Sequence, residues 1–193
     1  MNEFVMRKKF LVILVSLLVL GSFIWAFGLF PVMRVNGEFI LYRAYTDHVS
    51  AFELFQRQSS LTAGGGELTP AAQQTIRQSV LRDLIVHAVF RQYIGSHTSR
   101  GGIEERAHGV VDETLRAANA DVLPRATKEL YGWSVEEFSD NVLFPQALLN
   151  ELQKEIEKDG ASFDEFVRTE LNNAQVSIYF VPWKWEYGEL AEK

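Results

Sequence analysis

The run from Phe10 to Phe30, FLVILVSLLVLGSFIWAFGLF, constrains this chain more than any other stretch, because it holds no charge and only Ser16 and Ser22 as hydroxyl-bearing interruptions. At the helical rise such a run spans roughly 30 Å, about the hydrocarbon thickness of a bilayer. A helix of a soluble domain with this composition would need protein cover on every side. The run therefore predicts a single transmembrane signal-anchor helix over residues 10–30. Arg7, Lys8 and Lys9 precede it and the next basic residue is Arg34. That bias places a basic head, residues 1–9, in the cytoplasm and everything beyond residue 30 outside, as a single-pass protein of the cell membrane. A cleaved secretory signal with Ala26-Phe27-Gly28 as the small-x-small site is the competing reading; against it, the apolar run continues through Leu29 and Phe30. Either route exports the remainder. With no cysteine in the chain, neither a disulfide framework nor a lipid-attachment thiol is expected, and packing alone must hold the exported part together.

Beyond residue 30 the chain is long enough for one core and short for two. We read residues 31–182 as a single helical domain and 183–193 as a C-terminal tail. The formal net charge of −6 argues against nucleic acid as a partner, since neutralising phosphate needs a basic surface.

Val32 to Val35 alternates apolar and polar before Asn36-Gly37 and predicts a short strand ending in a turn. From Leu41 to about Gln58, apolar residues recur at spacings of three and four and predict a helix whose face is rich in aromatics. Ser59 to Leu68 contains Gly64-Gly65-Gly66 and reads as a connection. Thr69-Pro70 is a helix start. Behind it Ile76, Val80, Leu84 and Ala88, with Leu81, Ile85 and Val89 alongside, predict a long central helix ending at Gly95. A thinner amphipathic helix is expected over Gly102–Asn119 and another over Asp121–Tyr131, stopped by Gly132. Ser134 to Glu137 forms a capping box, flanked by Trp133 and Phe138 as a hydrophobic staple. The helix behind it reaches Ile156 and should kink near Pro145. A second box, Ser162 to Glu165, opens a shorter helix that ends at Asn172-Asn173. Val176 to Val181 is the second strand, expected to pair antiparallel with Met33-Arg34-Val35. The expected fold is thus mainly α, a transmembrane helix followed by a helical domain whose ends meet in a two-stranded antiparallel ribbon.

His48, His87, His97 and His108 are never spaced four apart on one helix as a metal site would want. His87 reads as a residue at the edge of the core. The glycine triplet lacks the lysine of a phosphate loop, and Ser134, Ser162, Glu137 and Glu165 are accounted for by their caps. No catalytic residue, metal or cofactor is expected. The candidate binding residues are Tyr42, Tyr45, Val49, Phe52 and Phe55, one helical face that could meet a partner's apolar side chains or pack on the long helix. Trp183 and Trp185 read as interfacial anchors or as caps on the sheet.

Several of these stretches resemble a family. A strand followed by VNGEFI (Val35 to Ile40), then a helix, a linker and a long helix with the register of VLRDLIVHAVFRQY (Val80 to Tyr93) resembles the N-terminal domain of SurA/PpiD-type periplasmic chaperones. LYGWSVEEF (Leu130 to Phe138) and FPQALLNELQKEI (Phe144 to Ile156) are similar to later helices of that domain. The resemblance spans roughly Val32 to Val181. Family members usually carry a parvulin-type prolyl isomerase domain at or after the strand equivalent to Val176–Val181, and no such segment can be placed in VPWKWEYGELAEK. The resemblance therefore implies a membrane-anchored, extracytoplasmic, chaperone-like module without catalysis. Its partners would be unfolded or exported polypeptides and, through residues 10–30, the lipid bilayer. A prolyl isomerase-related enzyme and an envelope scaffold with one fixed partner are the alternatives.

Overall fold

Asn36 and Gly37 both take positive φ, 46° and 99°, the backbone of a two-residue hairpin turn that suits asparagine and glycine. The turn joins strand β1, Pro31–Val35, to β2, Glu38–Leu41, in antiparallel register with Val35 opposite Glu38 and Met33 opposite Ile40. The structure is a computed structural model that describes residues 15–16, 18–19, 21–22, 25–62, 67–97, 102–158 and 160–193. Helices α1, Tyr42–Thr62, and α2, Pro70–Ser96, follow. After them come α3, Gly102–Ala117, α4, Leu123–Tyr131, and the single turn α5, Val135–Phe138. A π-helical turn, Ser139–Leu143, leads into α6, Phe144–Lys158, and then α7, Phe163–Asn173. Strands β3, Val176–Ile178, β4, Trp183–Glu186, and β5, Glu189–Glu192, complete the chain. The protein is mainly helical, with two small antiparallel sheets.

Among the described residues no helix is long and apolar enough to cross a membrane. That finding overturns the expected transmembrane helix over 10–30, and with it the single-pass localisation. Residues 10–14, 17, 20, 23 and 24 of the run lie outside the described residues. Its end shows a physical reason for the correction. Helical backbone stops at Ala26, Phe27 and Gly28 turn, and Phe30 stacks on Tyr42 at 4.9 Å. The Phe30 side chain therefore serves as packing for the folded domain.

The pairing of Met33, Arg34 and Val35 with Ile178, Ser177 and Val176 is present, but the expected two-stranded ribbon is a three-stranded sheet ordered β2-β1-β3. The extra strand arises because Glu38–Leu41 folds back across Asn36-Gly37 instead of leading straight into the helix. The terminal strand is also shorter than its alternation suggests. Tyr179 N–H still reaches the Val32 carbonyl at 2.8 Å, and then Phe180, at φ 56°, turns the chain away. Residues 183–193, expected as a tail, form the β4–β5 hairpin instead, with Trp183 only 3 % exposed in the core.

Two apolar clusters build the interior. Val32, Met33 and Val35 of β1, Tyr45 and Val49 of α1, and Leu171 of α7 pack with Trp183 around Val80, Leu81, Ile85 and Val89 of α2. Phe90 and Ile94, further along α2, pack with Ile103, Ala107 and Val111 of α3 and with Leu148, Leu152 and Ile156 of α6. Thr69 accepts from the Ala72 amide, and Ser134 and Glu137 close a reciprocal box; of the second expected box only one half forms, Ser162 accepting from Glu165 N–H. Pro145 has no N–H to donate back along the helix, and the turn before it widens into a π-turn, with Phe144 N–H donating to the Ser139 carbonyl.

Candidate functional site

The first turn of α1 has free amides to satisfy, and the segment before β1 supplies the carbonyls. Arg43 N–H donates to Gly28 at 3.0 Å and Tyr42 N–H to Phe30 at 2.8 Å. Glycine is favoured at position 28: its φ is 62°, and a Cβ there would crowd the Arg43 nitrogen at 3.3 Å. These bonds fix an aromatic ladder. Trp25 stacks on Phe30 at 5.8 Å, Phe30 on Tyr42 at 4.9 Å, and Tyr42 lies 6.0 Å from Tyr45. Phe180 meets the Phe30 ring edge-on at 5.4 Å while remaining 73 % exposed.

Two open cavities meet at this ladder. One, of about 520 Å³, is predominantly apolar and is lined by Trp25, Phe27, Phe30, Tyr42 and Phe180. The other, of about 610 Å³, lies between α1 and α2 and is lined by Tyr42, Tyr45, Val49, Glu53, Arg77 and Trp183. Tyr42, Thr46 and Phe180 belong to both walls. The second cavity is more polar. Glu53 faces Arg77 across it at 3.7 Å, and the Tyr45 hydroxyl is pushed up to about 12, mainly by burial, so it stays protonated.

The five residues expected to form one binding face are divided by the fold. Tyr42 is half-buried and lines both cavities. Tyr45 and Val49 are buried in the first cluster and reach the second cavity from its floor. Phe52 and Phe55 line neither; Tyr131 of α4 meets Phe52 edge-on at 6.4 Å and stacks flat on Phe55 at 5.0 Å. The face is therefore open at its N-terminal end and covered at its C-terminal end. Phe30 and Phe180 were hidden in the sequence because one closes an apolar run and the other sits inside an apparent strand. Trp183 caps the sheet from within the core, and Trp185 donates to the Leu171 carbonyl at 3.3 Å.

His87 lies on the far side of α2, where burial, aided by the positive fields of His48 and Arg91, lowers it to about 4. Among the described residues no group of three or more histidines and acids is placed to hold a metal.

Comparison of the chain with protein-family models, curated proteins and solved structures finds no match. The likeness to the SurA-type domain thus rests on the motifs themselves.

Proposed function

We propose that this protein is a non-catalytic, chaperone-like module that holds extended, apolar-rich segments of other polypeptides by reversible contact. The observation that carries this reading is the Phe180 rim. A bulky residue in left-handed backbone is strained, and strain of this kind gathers at binding sites. Here it keeps an aromatic ring exposed where two cavities join. The joined trough has aromatic walls for side chains and, toward Glu53 and Arg77, polar groups that can face a peptide backbone, the usual composition of a ligand cleft. The SurA-type resemblance supports the same conclusion.

Light scattering of a chemically denatured model client, diluted with and without the full chain, tests it. The wild-type chain should suppress aggregation near stoichiometric ratio, and the double variant Tyr42→Ala, Phe180→Ala should need several-fold more protein. No suppression by the wild type, or full suppression by the variant, removes the reading. Turnover of a proline peptide would replace it with the isomerase-related alternative.

A further inference from the structure

We infer that the free edge of β2, together with the gap beside it, is a second polypeptide subsite that takes an extended segment as a fourth strand. It shares the occupant class of the trough but lies on a different face and does not depend on it.

In the order β2-β1-β3, β2 is an outer strand, and nothing among the described residues pairs with its open side. The two-residue turn makes Val35 and Glu38 the closing hydrogen-bonded pair, so Phe39, opposite Arg34, occupies the alternate, non-bonded position. In an antiparallel ladder such a residue points its N–H and C=O away from the partner, here toward the open edge. Phe39 is 57 % exposed on the outer face, as is part of Leu41. Cross-strand apolar neighbours would cover both.

On the inner face the strand is backed by a hollow. A gap of about 190 Å³ lies between Ile40 of β2, Leu84 and Ala88 of α2, and Phe144, Pro145 and Leu149 at the α6 side. Residues directly opposite one another in a sheet share a face. The residue of an added strand opposite Ile40 would therefore point into this gap. Cavities of roughly 150 Å³ accept benzene, so the space suits one leucine- or phenylalanine-sized side chain. Main-chain pairing plus a pocket for alternate side chains is the general logic of strand addition.

Charge narrows the occupant further. Glu38, at one end of the strand, is already bound by Arg91 and Gln92. Arg91 also lines the gap, but Glu38 meets its charge, whereas Asp140, which lines it too, makes no ion pair among the described residues. The occupant is thus an extended segment with alternating apolar residues and a lysine or arginine flanking the side chain that fills the gap.

Fluorescence anisotropy with a labelled eight-residue peptide of alternating threonine and leucine, carrying one flanking lysine, tests this against the full chain. Phe39→Pro removes the outward N–H without touching the β1 ladder, and should weaken binding about tenfold. N-methylation of alternate peptide residues should do the same, and Ala88→Leu, which fills the gap, should weaken it at least fivefold. Tyr42→Ala, Phe180→Ala should remove only the share of binding held by the trough and leave binding that depends on the Phe39 amide in place. Saturating peptide should slow hydrogen exchange of the Phe39 amide in the wild-type chain, a readout that survives any misfolding of the variants. Absence of binding, or binding without Phe39 protection, overturns the inference. Loss of binding only in the Tyr42, Phe180 variant also overturns it and leaves the trough reading standing. Self-association abolished by Phe39→Pro would assign the edge to a second copy and likewise overturn it.

Discussion

Gly28 and Phe180 shape the trough through backbone conformation, and His87 shows how one partly buried side chain couples the fold to pH. The imidazole titrates near 6.5 when free and is lowered to about 4 in the fold. The unfolded chain therefore takes up the proton first. Stability contributed by keeping His87 neutral is complete above about pH 6.5, declines as the pH falls toward 4, and levels off below that. A shift of this size is worth at most about 3 kcal/mol. Thermal unfolding at pH 7 and pH 4.5 should show a marked drop for the wild type and a smaller one for His87→Leu. Equal drops would mean that His87 is solvated. Glu137, lowered by the Ser134 backbone bond, and Glu151, lowered chiefly by Lys154, lose their contributions only below the ordinary carboxylate range.

Among the elements, the β1–β2 hairpin does more than its length suggests. Asn36 N–H donates to the Gln175 carbonyl and its Oδ1 accepts from the Gln175 amide, both at 2.8 Å. The turn thereby holds the start of β3 in register across nearly the whole domain. Asn36→Ala loses the side-chain bond and the residue best suited to positive φ, and should cost about 1–2 kcal/mol in urea denaturation. Asn36→Asp, which keeps the acceptor, should recover most of it. The Asn-Gly signal was legible as a turn. That it returned a strand was not, because Glu38 to Leu41 is too short to separate from the helix that begins at the next residue.

At the scale of the molecule, α2 is the common wall of both apolar clusters. Its Leu81 packs in one and its Phe90 in the other, and both are essentially inaccessible. Such sharing makes the domain one cooperative unit. Leu81→Ala in the first cluster and Leu152→Ala in the second should each cost about 2–5 kcal/mol. In each variant tryptophan fluorescence and far-ultraviolet ellipticity should shift to one common midpoint. Separate midpoints would show that the cluster around Leu152 melts on its own.

The sequence by itself determined the helices from α1 onward, most of their caps and the pairing of β1 with β3. Each follows from local chemistry: Ser134 and Glu137 bond to one another's backbone, Gly132 takes the left-handed stop, and Val80 to Val89 repeat with the helical period. The tertiary structure alone decided which apolar surface stays open. Phe55 and Phe180 are both aromatic residues within apolar patterns, yet Tyr131 covers the first, and a positive φ turns the second out to the rim. The end of the 10–30 run was decided the same way, when Gly28 and Phe30 found hydrogen-bonding and stacking partners at the start of α1. Exposure depends on partners distant in the chain, and spacing along one segment carries no record of them.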